Sequence, residues 1–287
     1  METVQETRPE FDAELEQREG ASVQAGCYLL ELSPDWMVRR ASENVHELLG
    51  ESHVALIDEP LGRFVHAQAL HDLRNLFSRL SGTLGIARAY GIRLADGGHA
   101  VDIAFQLSGG RVLLEAVRSR GNLGECFGSV GGLIDGLSGD SGQLLLDHGA
   151  RRMRALTGYD RVSVTVGQRR AQSSRRAMQP TAEASGDLPM IVADAALPGV
   201  RCFPRDTHDS SVGDALLRLP RPSELRQLRE AGSLSALCVP FDSDGVAGEF
   251  RCESREPRAP SFEVHAAAEL FAQMFAMRLE IDRLKRG

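Results

Sequence analysis

The chain has 287 residues, of which 42% are hydrophobic and 25% are charged, and its formal net charge is −7. This length predicts two domains of ordinary size, and this balance is that of a globular protein. The negative charge argues against nucleic acid as a main partner. No apolar run approaches the ~20 residues of a membrane span, and the polar N-terminus has no signal-peptide core. We therefore expect a cytoplasmic protein that associates with neither nucleic acid nor a membrane.

The first part of the chain predicts a flexible segment over residues 1–20 and a small mixed domain over 21–120. The predicted order is two strands, short helices and three further strands, which is the order of a PAS domain. These segments are strands at Cys27–Leu32 and Trp36–Ala41, helices at Ser42–Leu49 and Leu61–Leu80, and strands at Gly85–Leu94, His99–Leu107 and Arg111–Ser119. Gly109-Gly110 separates the last two strands and suits a tight turn with positive φ.

The second part predicts a glycine-rich linker over residues 121–141 and a second domain over 142–287. This domain begins with a helix and a strand, continues through a proline-containing, loop-rich stretch over 167–233, and ends with a hairpin and a long helix. That order is typical of a GAF domain. The predicted segments are a helix at Gly142–Thr157, a strand at Arg161–Val166, hairpin strands at Ser235–Phe241 and Gly245–Cys252, and a helix at Ser261–Lys285.

Four stretches resemble the PAS–GAF part of bacteriophytochromes, which are bilin-binding red-light sensors. Val23–Leu30 resembles the family's I-Q-P-H-G-x-L-L, and Leu156–Val162 is similar to L-T-G-F-D-R-V. Leu225–Gly232 resembles L-x-Y-L-x-N-M-G, and Glu263–Leu270 resembles E-V-R-A-A-C-E-L. The resemblance implies an α+β protein in which a PAS domain precedes a GAF domain, each with a central antiparallel sheet and flanking helices.

The resemblance also implies a pigment pocket with an aspartate and two arginines. Asp187, in Ala184–Pro189, matches the aspartate of the family's P-A-S-D-I-P; the alternative is an aspartate in a proline-limited turn. Arg201 and Arg218 lie at or near the positions that clamp the bilin propionates, and an arginine fork suits a carboxylate.

Two positions depart from the family's pocket. Glu224 stands where the family has the histidine of P-x-H-L-x-Y-L, and Glu253-Ser254 replaces the histidines of A-C-H-H. A glutamate beside a bilin could serve as a counter-ion to the protonated pigment, but it would repel the propionates. The alternative is that Glu224 and Glu253 are exposed residues at a helix start and a hairpin end, beside a closed cleft.

The cysteines give a further departure. Biliverdin-binding members attach the pigment to a cysteine upstream of the PAS sheet, whereas residues 1–19 contain none and the first is Cys27. Cys202, Cys238 and Cys252 could form a redox sensor if two of them approach within disulfide reach, or they could be small apolar fillers. The spacing of the cysteines predicts neither zinc ligands nor a disulfide framework.

The closing helix predicts contact with a second subunit. One stripe recurs at spacings of three and four, as in a coiled coil: Ala267, Leu270, Met274, Met277, Ile281 and Leu284. A second stripe of Phe271, Phe275 and Leu279 could pack on the GAF sheet; one broad core-facing stripe is the alternative. The resemblance implies a homodimer through such helices, which passes a signal to a downstream partner or output domain that the sequence does not identify.

The sequence therefore favours a phytochrome-like sensory module without ordinary bilin photochemistry, holding either no cofactor or biliverdin. The motifs of hydrolases, zinc proteases and P-loop enzymes are absent, so we do not expect an enzyme. One alternative is a biliverdin-binding red/far-red photoreceptor with a non-standard pocket, which holds the pigment non-covalently or through Cys27. A second is a redox-responsive or protein-binding adaptor.

Overall fold

The structure is a computed structural model that describes residues 21–78, 80, 85–121, 125–175, 190–205, 211–243 and 245–286. These residues divide into two compact units. The first comprises the described residues up to Ala116 together with those of Leu197–Gln227, and the second comprises those of Val117–Ala196 and from Leu228 onward. This division differs from the predicted one, which assigned residues 197–227 to the second domain. The predicted flexible segment 1–20 lies outside the described residues.

Both units contain strands and helices. The strands are β1 (Ser22–Val23), β2 (Cys27–Leu32), β3 (Val38–Ser42), β4 (Ala87–Ile92), β5 (Val101–Ser108), β6 (Arg111–Arg118), β7 (Arg161–Val166), β8 (Arg169–Ser174), β9 (Ile191–Val192), β10 (Val200–Phe203), β11 (Ser235–Ser243) and β12 (Val246–Ser254). The α-helices are α1 (His46–Leu49), α2 (His53–Leu56), α3 (Ala67–Ser78), α4 (Glu125–Asp135), α5 (Gly142–Thr157), α6 (Pro222–Glu230) and α7 (Phe262–Arg286). In the described part of the chain, no helix is long and apolar enough to cross a membrane.

The first unit is built on a seven-stranded sheet in the order β1-β10-β3-β2-β6-β5-β4. One face carries an apolar core that includes Leu30, Phe105 and Leu114, each almost fully buried. Phe77 of α3 closes over this core, with its ring edge-on to Trp36 at 5.9 Å between centroids. The turn between β5 and β6 has φ of 55° and 76° at Gly109-Gly110, which confirms the predicted positive φ.

Strand β10 reaches this sheet from far along the chain. It pairs with β1 through Ser22↔Arg201 and with β3 through Cys202↔Ser42. After β10, the buried carboxylate of Glu115 on β6 accepts the backbone N–H groups of residues 216 and 217, each at 2.8 Å. These contacts hold the chain immediately before Arg218 against the seven-stranded sheet.

The second unit contains a five-stranded antiparallel sheet in the order β8-β7-β12-β11-β9. Helices α5 and α7 pack on its apolar face, where Phe250 lies 5.8 Å from Phe271 and 5.1 Å from Phe275 between ring centroids. Gly149 on α5 allows this approach, because a Cβ there would lie 2.3 Å from the Phe275 ring. The buried Phe271, Phe275 and Leu279 therefore form the predicted core-facing stripe of the last helix.

The second half contains several elements that were not predicted. The glycine-rich segment expected to be a linker contains α4, because Val130, Leu133, Ile134 and Leu137 recur at helical spacing and bury one side of the segment. The stretch 167–233, expected to be loop-rich, contains strand β8 and helix α6. Helix α5 and strand β7 have the predicted bounds.

Candidate functional site

The start of helix α6 holds the first of the two unexpected glutamates. Pro222 is the first helical residue, a position where its missing N–H is of no consequence. Glu224 then stands in the first turn, and its Oε2 accepts the backbone N–H of Arg221 at 2.6 Å. This is one half of a capping box, which places the carboxylate at the positive end of the helix.

The carboxylate of Glu224 is also bound by Arg218. Arg218 donates from Nη1 to Oε2 at 2.9 Å and from Nη2 to Oε1 at 2.8 Å, a bidentate arrangement. Glu224 is 3% exposed, so the expectation of an exposed helix-start residue is wrong, although the helix start itself is confirmed. The burial is tolerated because three donors satisfy the carboxylate. Arg218, the predicted propionate clamp, is therefore engaged with this chain's own glutamate.

The second glutamate, Glu253, lies on the polar face of the five-stranded sheet. Arg161 stands directly opposite it on β7, and Arg251 precedes it by two residues on the same face of β12. Arg161 donates from Nε at 2.7 Å and also from Nη2 to Oε2, while Arg251 donates from Nε to Oε1 at 3.0 Å. Glu253 is 1% exposed, so the expectation of an exposed hairpin-end residue is wrong here as well.

This buried cluster has two guanidinium groups for one carboxylate. Arg161 is 1% exposed and Arg251 is 8% exposed. Nη2 of Arg251 is buried and makes no hydrogen bond to any described residue. A buried cationic donor without a partner is costly, so this face of the sheet has an unmet capacity to bind an anion.

Arg201 and Ser254, two further predicted pocket residues, have other surroundings. Arg201 is exposed on β10. Ser254 is buried next to Glu253 in sequence but on the opposite face of β12, where its Oγ accepts the N–H of Asp160 at 3.2 Å and Nε–H of Arg258 at 3.0 Å. Asp187 lies outside the described residues, so the predicted pigment-site turn has no structural account.

Cys27 lies within β2 and is completely buried. Its thiol donates to the carbonyl oxygen of Tyr28 at 3.6 Å. Burial, followed by the nearby charge of Glu115 and by Cys202, raises the pKa of the Cys27 thiol well above its ordinary value. Because the thiolate is the nucleophile in thioether formation, this environment disfavours attachment of a pigment.

The three later cysteines are buried free thiols. Cys238 pairs across the sheet with Arg251, and Cys252 pairs with Leu237, so their side chains point to opposite faces of adjacent strands. They therefore cannot form the disulfide that the redox alternative would need from this pair. Burial raises the pKa of Cys202 and that of Cys252 to about 12, which also makes them poor redox centres.

The last helix presents a second stripe to solvent. Leu270, Met277, Ile281 and Leu284 are 44%, 60%, 46% and 67% exposed, and Met274 between them is half-buried. Ala267 is fully buried inside its own unit, so its assignment to a subunit interface is wrong. The residues of α7 that precede Leu270 are all buried or half-buried in their own unit, so the outward stripe begins at Leu270.

Sequence reasoning did not identify the arginines that neutralise Glu253. Arg161 and Glu253 are separated by 92 positions, so one sequence gives no direct sign of their contact. A weak signal was available: the polar residues of β12 at 249, 251 and 253 alternate with apolar ones, which indicates a sheet with one polar face. Among the described residues, no group of histidine, cysteine and acidic side chains is arranged to hold a metal ion.

The comparisons with known proteins agree with this architecture. Residues 14–116 match the sequence model of a family described as a PAS fold. No curated protein matches the sequence significantly.

Among solved structures, the chromophore-binding domain of an unusual bacteriophytochrome from R. palustris matches with a TM-score of 0.75 and 22% identity, over 92% of this chain and 96% of that one. A longer structure of the same bacteriophytochrome gives 0.77 and 21%, over 95% of this chain and 62% of that one. The chromophore-binding domain of a wild-type Stigmatella aurantiaca phytochrome gives 0.71 and 20%, over 92% and 98%. The chain therefore has the fold of a bacteriophytochrome-like PAS–GAF module, as the sequence predicts.

Proposed function

We propose that this chain is a phytochrome-like sensory or regulatory module that binds and signals without catalysis and does not perform ordinary bilin photochemistry. The fold supports the class of module. One observation supports the proposed absence of ordinary bilin photochemistry. Glu224 and Glu253, which replace the expected histidines, are buried and bound by this chain's own arginines.

These ion pairs oppose a bilin in a specific way. Arg218 uses Nη1 and Nη2 on Glu224, so clamping a propionate requires it to leave a buried carboxylate. Breaking a buried pair by removing one partner costs about 3–5 kcal/mol. Glu253 likewise has both oxygens occupied, and neither glutamate can replace a histidine that donates hydrogen bonds to a pigment.

The test is to produce the protein together with a haem oxygenase and to record its visible spectrum before and after red light. We expect no strong red or far-red band and no change on illumination. A variant with Glu224→His, Glu253→His and Ser254→His is the matched control, since it restores the family's residue types at the three positions. A strong band in the wild-type protein that bleaches or shifts in red light would refute the proposal.

One observation favours the alternative, a biliverdin-binding photoreceptor with a non-standard pocket. Nη2 of Arg251 is buried and makes no hydrogen bond to any residue that the structure describes. A propionate could take this place. In that case Arg251→Met would abolish a pigment band that the wild-type protein shows, whereas Arg169→Met, at an exposed position on β8, would leave the band unchanged.

The second part of the proposal is that the module forms a homodimer through α7. The stripe from Leu270 to Leu284 has the spacing of a coiled-coil seam, and its apolar side chains are exposed. The helix is tied to its own unit by Arg278, which donates to the carbonyls of Ser138 and Asp140, so the stripe is held in a fixed orientation.

Sedimentation of the double variant Met277→Glu/Ile281→Glu tests the dimer. The wild-type protein should sediment as a dimer and the variant as a monomer, because four charges would face one another across the seam. Val54→Glu changes an exposed apolar residue of the first unit and should leave the dimer intact. A wild-type protein that stays monomeric at all concentrations, or a dimeric double variant, would rule the interface out.

A further inference from the structure

Strand β8 is an edge of the five-stranded sheet. The sheet order places β7 on one side of it and no described strand on the other. Most of its six residues have exposed side chains, namely those at positions 169, 170, 172 and 174. An edge strand with free backbone groups is a template on which an extended segment of another protein can pair. The side of β8 that faces away from β7 is therefore a candidate docking surface.

The ladder with β7 identifies the backbone groups of β8 that point outward. One residue beyond β8, in the same antiparallel register, the N–H of Arg175 donates to the carbonyl of Asp160 at 3.0 Å. Hydrogen-bonded and non-hydrogen-bonded pairs alternate along such a ladder, so the N–H and C=O groups of residues 170, 172 and 174 face away from β7. The Gln143 side chain donates to the carbonyl of Arg170 at 3.0 Å, which agrees with this assignment. No other hydrogen bond joins these outward groups to a described residue.

Arginines surround this edge. Arg169 and Arg170 are exposed at the start of β8. Arg154 of α5 donates from Nε to Ser173 Oγ at 3.0 Å, which places its guanidinium beside the strand. Arg151 stands three residues earlier on α5, on the same side of the helix, and is exposed. We call β8 together with Arg151 and Arg154 the β8 edge.

The positive charge of the β8 edge is not balanced locally. None of its four arginines forms an ion pair with a described residue. Asp147 is the only acidic residue of α5 and β8, and its Oδ1 accepts an N–H of Gln143 at 3.2 Å. Strand β7 contains no acidic residue. A second copy of β8 would bring like charges together, whereas an acidic strand would be attracted.

We propose that the β8 edge binds an extended acidic segment of a partner protein, which adds to the sheet as a sixth strand. The outward backbone groups of residues 170, 172 and 174 supply the hydrogen bonds. Ala171 is buried and Ser173 contacts α5, so strand alternation places Arg169 on the helix-covered face of the sheet as well. Acidic side chains at every second position of the incoming strand then lie on the face that carries Arg169 and Arg154.

This proposal goes beyond the proposed function, because it gives the chemistry of a binding partner for the module. The β8 edge shares no residue with the ion pairs of Glu224 and Glu253 or with the exposed stripe of α7. The partner proposal can therefore fail while the other two hold, and the reverse is also true.

Fluorescence anisotropy at low ionic strength tests the proposal, with the labelled peptide Thr-Glu-Val-Glu-Val-Glu-Thr as the probe. We expect the wild-type protein to bind this peptide and not a version with lysine in place of glutamate. A version with proline in place of valine keeps the charge but disfavours a strand, and it should bind at least about tenfold more weakly. Equal binding of the proline version would show that only charge is recognised, which would overturn the proposal.

Two variants separate the backbone from the charges. Gln172→Pro removes an outward N–H and leaves the ladder to β7 intact, so it should abolish binding of the acidic peptide. Arg169→Gln/Arg170→Gln should weaken binding about tenfold, because two exposed charge pairs with the peptide are lost. The matched control is Arg63→Gln/Arg93→Gln, which removes two exposed arginines of the first unit and should bind like the wild-type protein.

Amide hydrogen exchange measured by NMR gives the structural readout. Saturating acidic peptide should slow the exchange of the N–H groups of residues 170, 172 and 174 in the wild-type protein. Absence of binding to the wild-type protein, unchanged exchange at these positions, or equal losses in the two double variants would each overturn the proposal. Single-stranded DNA that binds as tightly as the peptide would indicate a general polyanion surface and would overturn it too. A folded Gln172→Pro variant that binds at full strength would do the same.

Discussion

Each of the two buried ion-pair clusters of this chain binds a buried glutamate with arginine, but the numbers of arginines differ. In the first unit, one arginine and one helix start satisfy Glu224, and the charges balance one to one. In the second unit, two arginines share Glu253, and Nη2 of Arg251 is left buried without a partner. In the first cluster the guanidinium and the carboxylate bind each other through both terminal nitrogens and both oxygens. In the second, Nη2 of Arg251 makes no hydrogen bond to a described residue and could bind an anion. The comparison teaches that the same replacement of histidine by glutamate can either give a fully paired buried carboxylate or leave a buried arginine N–H group that an anion could bind.

The largest expected loss of stability comes from a substitution in the Glu253 cluster. Glu253→Gln removes the carboxylate that both buried arginines, Arg161 and Arg251, contact. We expect a loss of about 3–5 kcal/mol in the free energy of unfolding, measured by urea denaturation. An unchanged midpoint would mean that these guanidinium groups are solvated in solution, which would remove the contrast between the two clusters.

The next effect concerns a carboxyl group outside both clusters. Burial raises the pKa of Glu115 to about 7, against the opposing effect of the N–H groups of Leu217 and Leu216. The folded state therefore holds the proton more tightly than the unfolded state. Stability should be highest below the unfolded pKa, fall as the pH rises from about 4.5 to about 7, and then stay level, for a total of about 3 kcal/mol.

The check is the difference in unfolding free energy between the wild-type protein and Glu115→Gln at several pH values, which cancels the contributions of other groups. Glutamine keeps the size of the side chain and one acceptor but does not titrate. If the difference is constant from pH 4.5 to 7, the pH dependence assigned to Glu115 is wrong.

A smaller effect is expected from the Glu224 cluster. Glu224→Gln should cost about 2–3 kcal/mol, because it weakens charge-assisted bonds to Arg218, which is 11% exposed and can recover some hydration. Urea denaturation should therefore rank this variant below Glu253→Gln. The reverse order would indicate that the pair at the helix start is the more strongly coupled of the two.

The smallest effect should come from removing Arg251. Arg251→Met deletes one hydrogen bond to Glu253 together with a buried Nη2 that makes none to any described residue, and it keeps the apolar stem. Glu253 keeps its bonds from Arg161, so we expect a change within about 1 kcal/mol. Arg161→Met, which removes the arginine that binds Glu253 through two nitrogens, should cost clearly more. Equal losses in the two variants, measured by the same denaturation, would show that the arginines contribute alike.

Much of the fold was predictable because its signals are local. The helix Gly142–Thr157 follows from apolar spacing and a terminal glycine, which has φ of 71° in the structure. Helix α6 could also have been predicted, since Pro222 and Glu224 stand at its first and third positions. Because the surrounding prolines suggested a loop-rich stretch, only a helix start at Glu224 was considered, without bounds for the helix.

The candidate site was less predictable because it depends on distant contacts. Position and residue type identified Glu224 and Glu253, but their burial follows from partners that the sequence does not point to. Arg161 reaches Glu253 only through the β7–β12 register, and Arg218 reaches Glu224 only because β10 and the following turn are fixed on the first sheet. Side-chain pairing of this kind requires the tertiary structure.

The most direct test of the central claim is the red-light difference spectrum of the protein produced with a haem oxygenase, recorded side by side for the wild-type chain and the triple histidine variant. The account predicts a flat difference spectrum for the wild-type chain, because its glutamates are already bound by its own arginines. A reversible red/far-red difference in the wild-type chain, whatever its size relative to that of the variant, would contradict it.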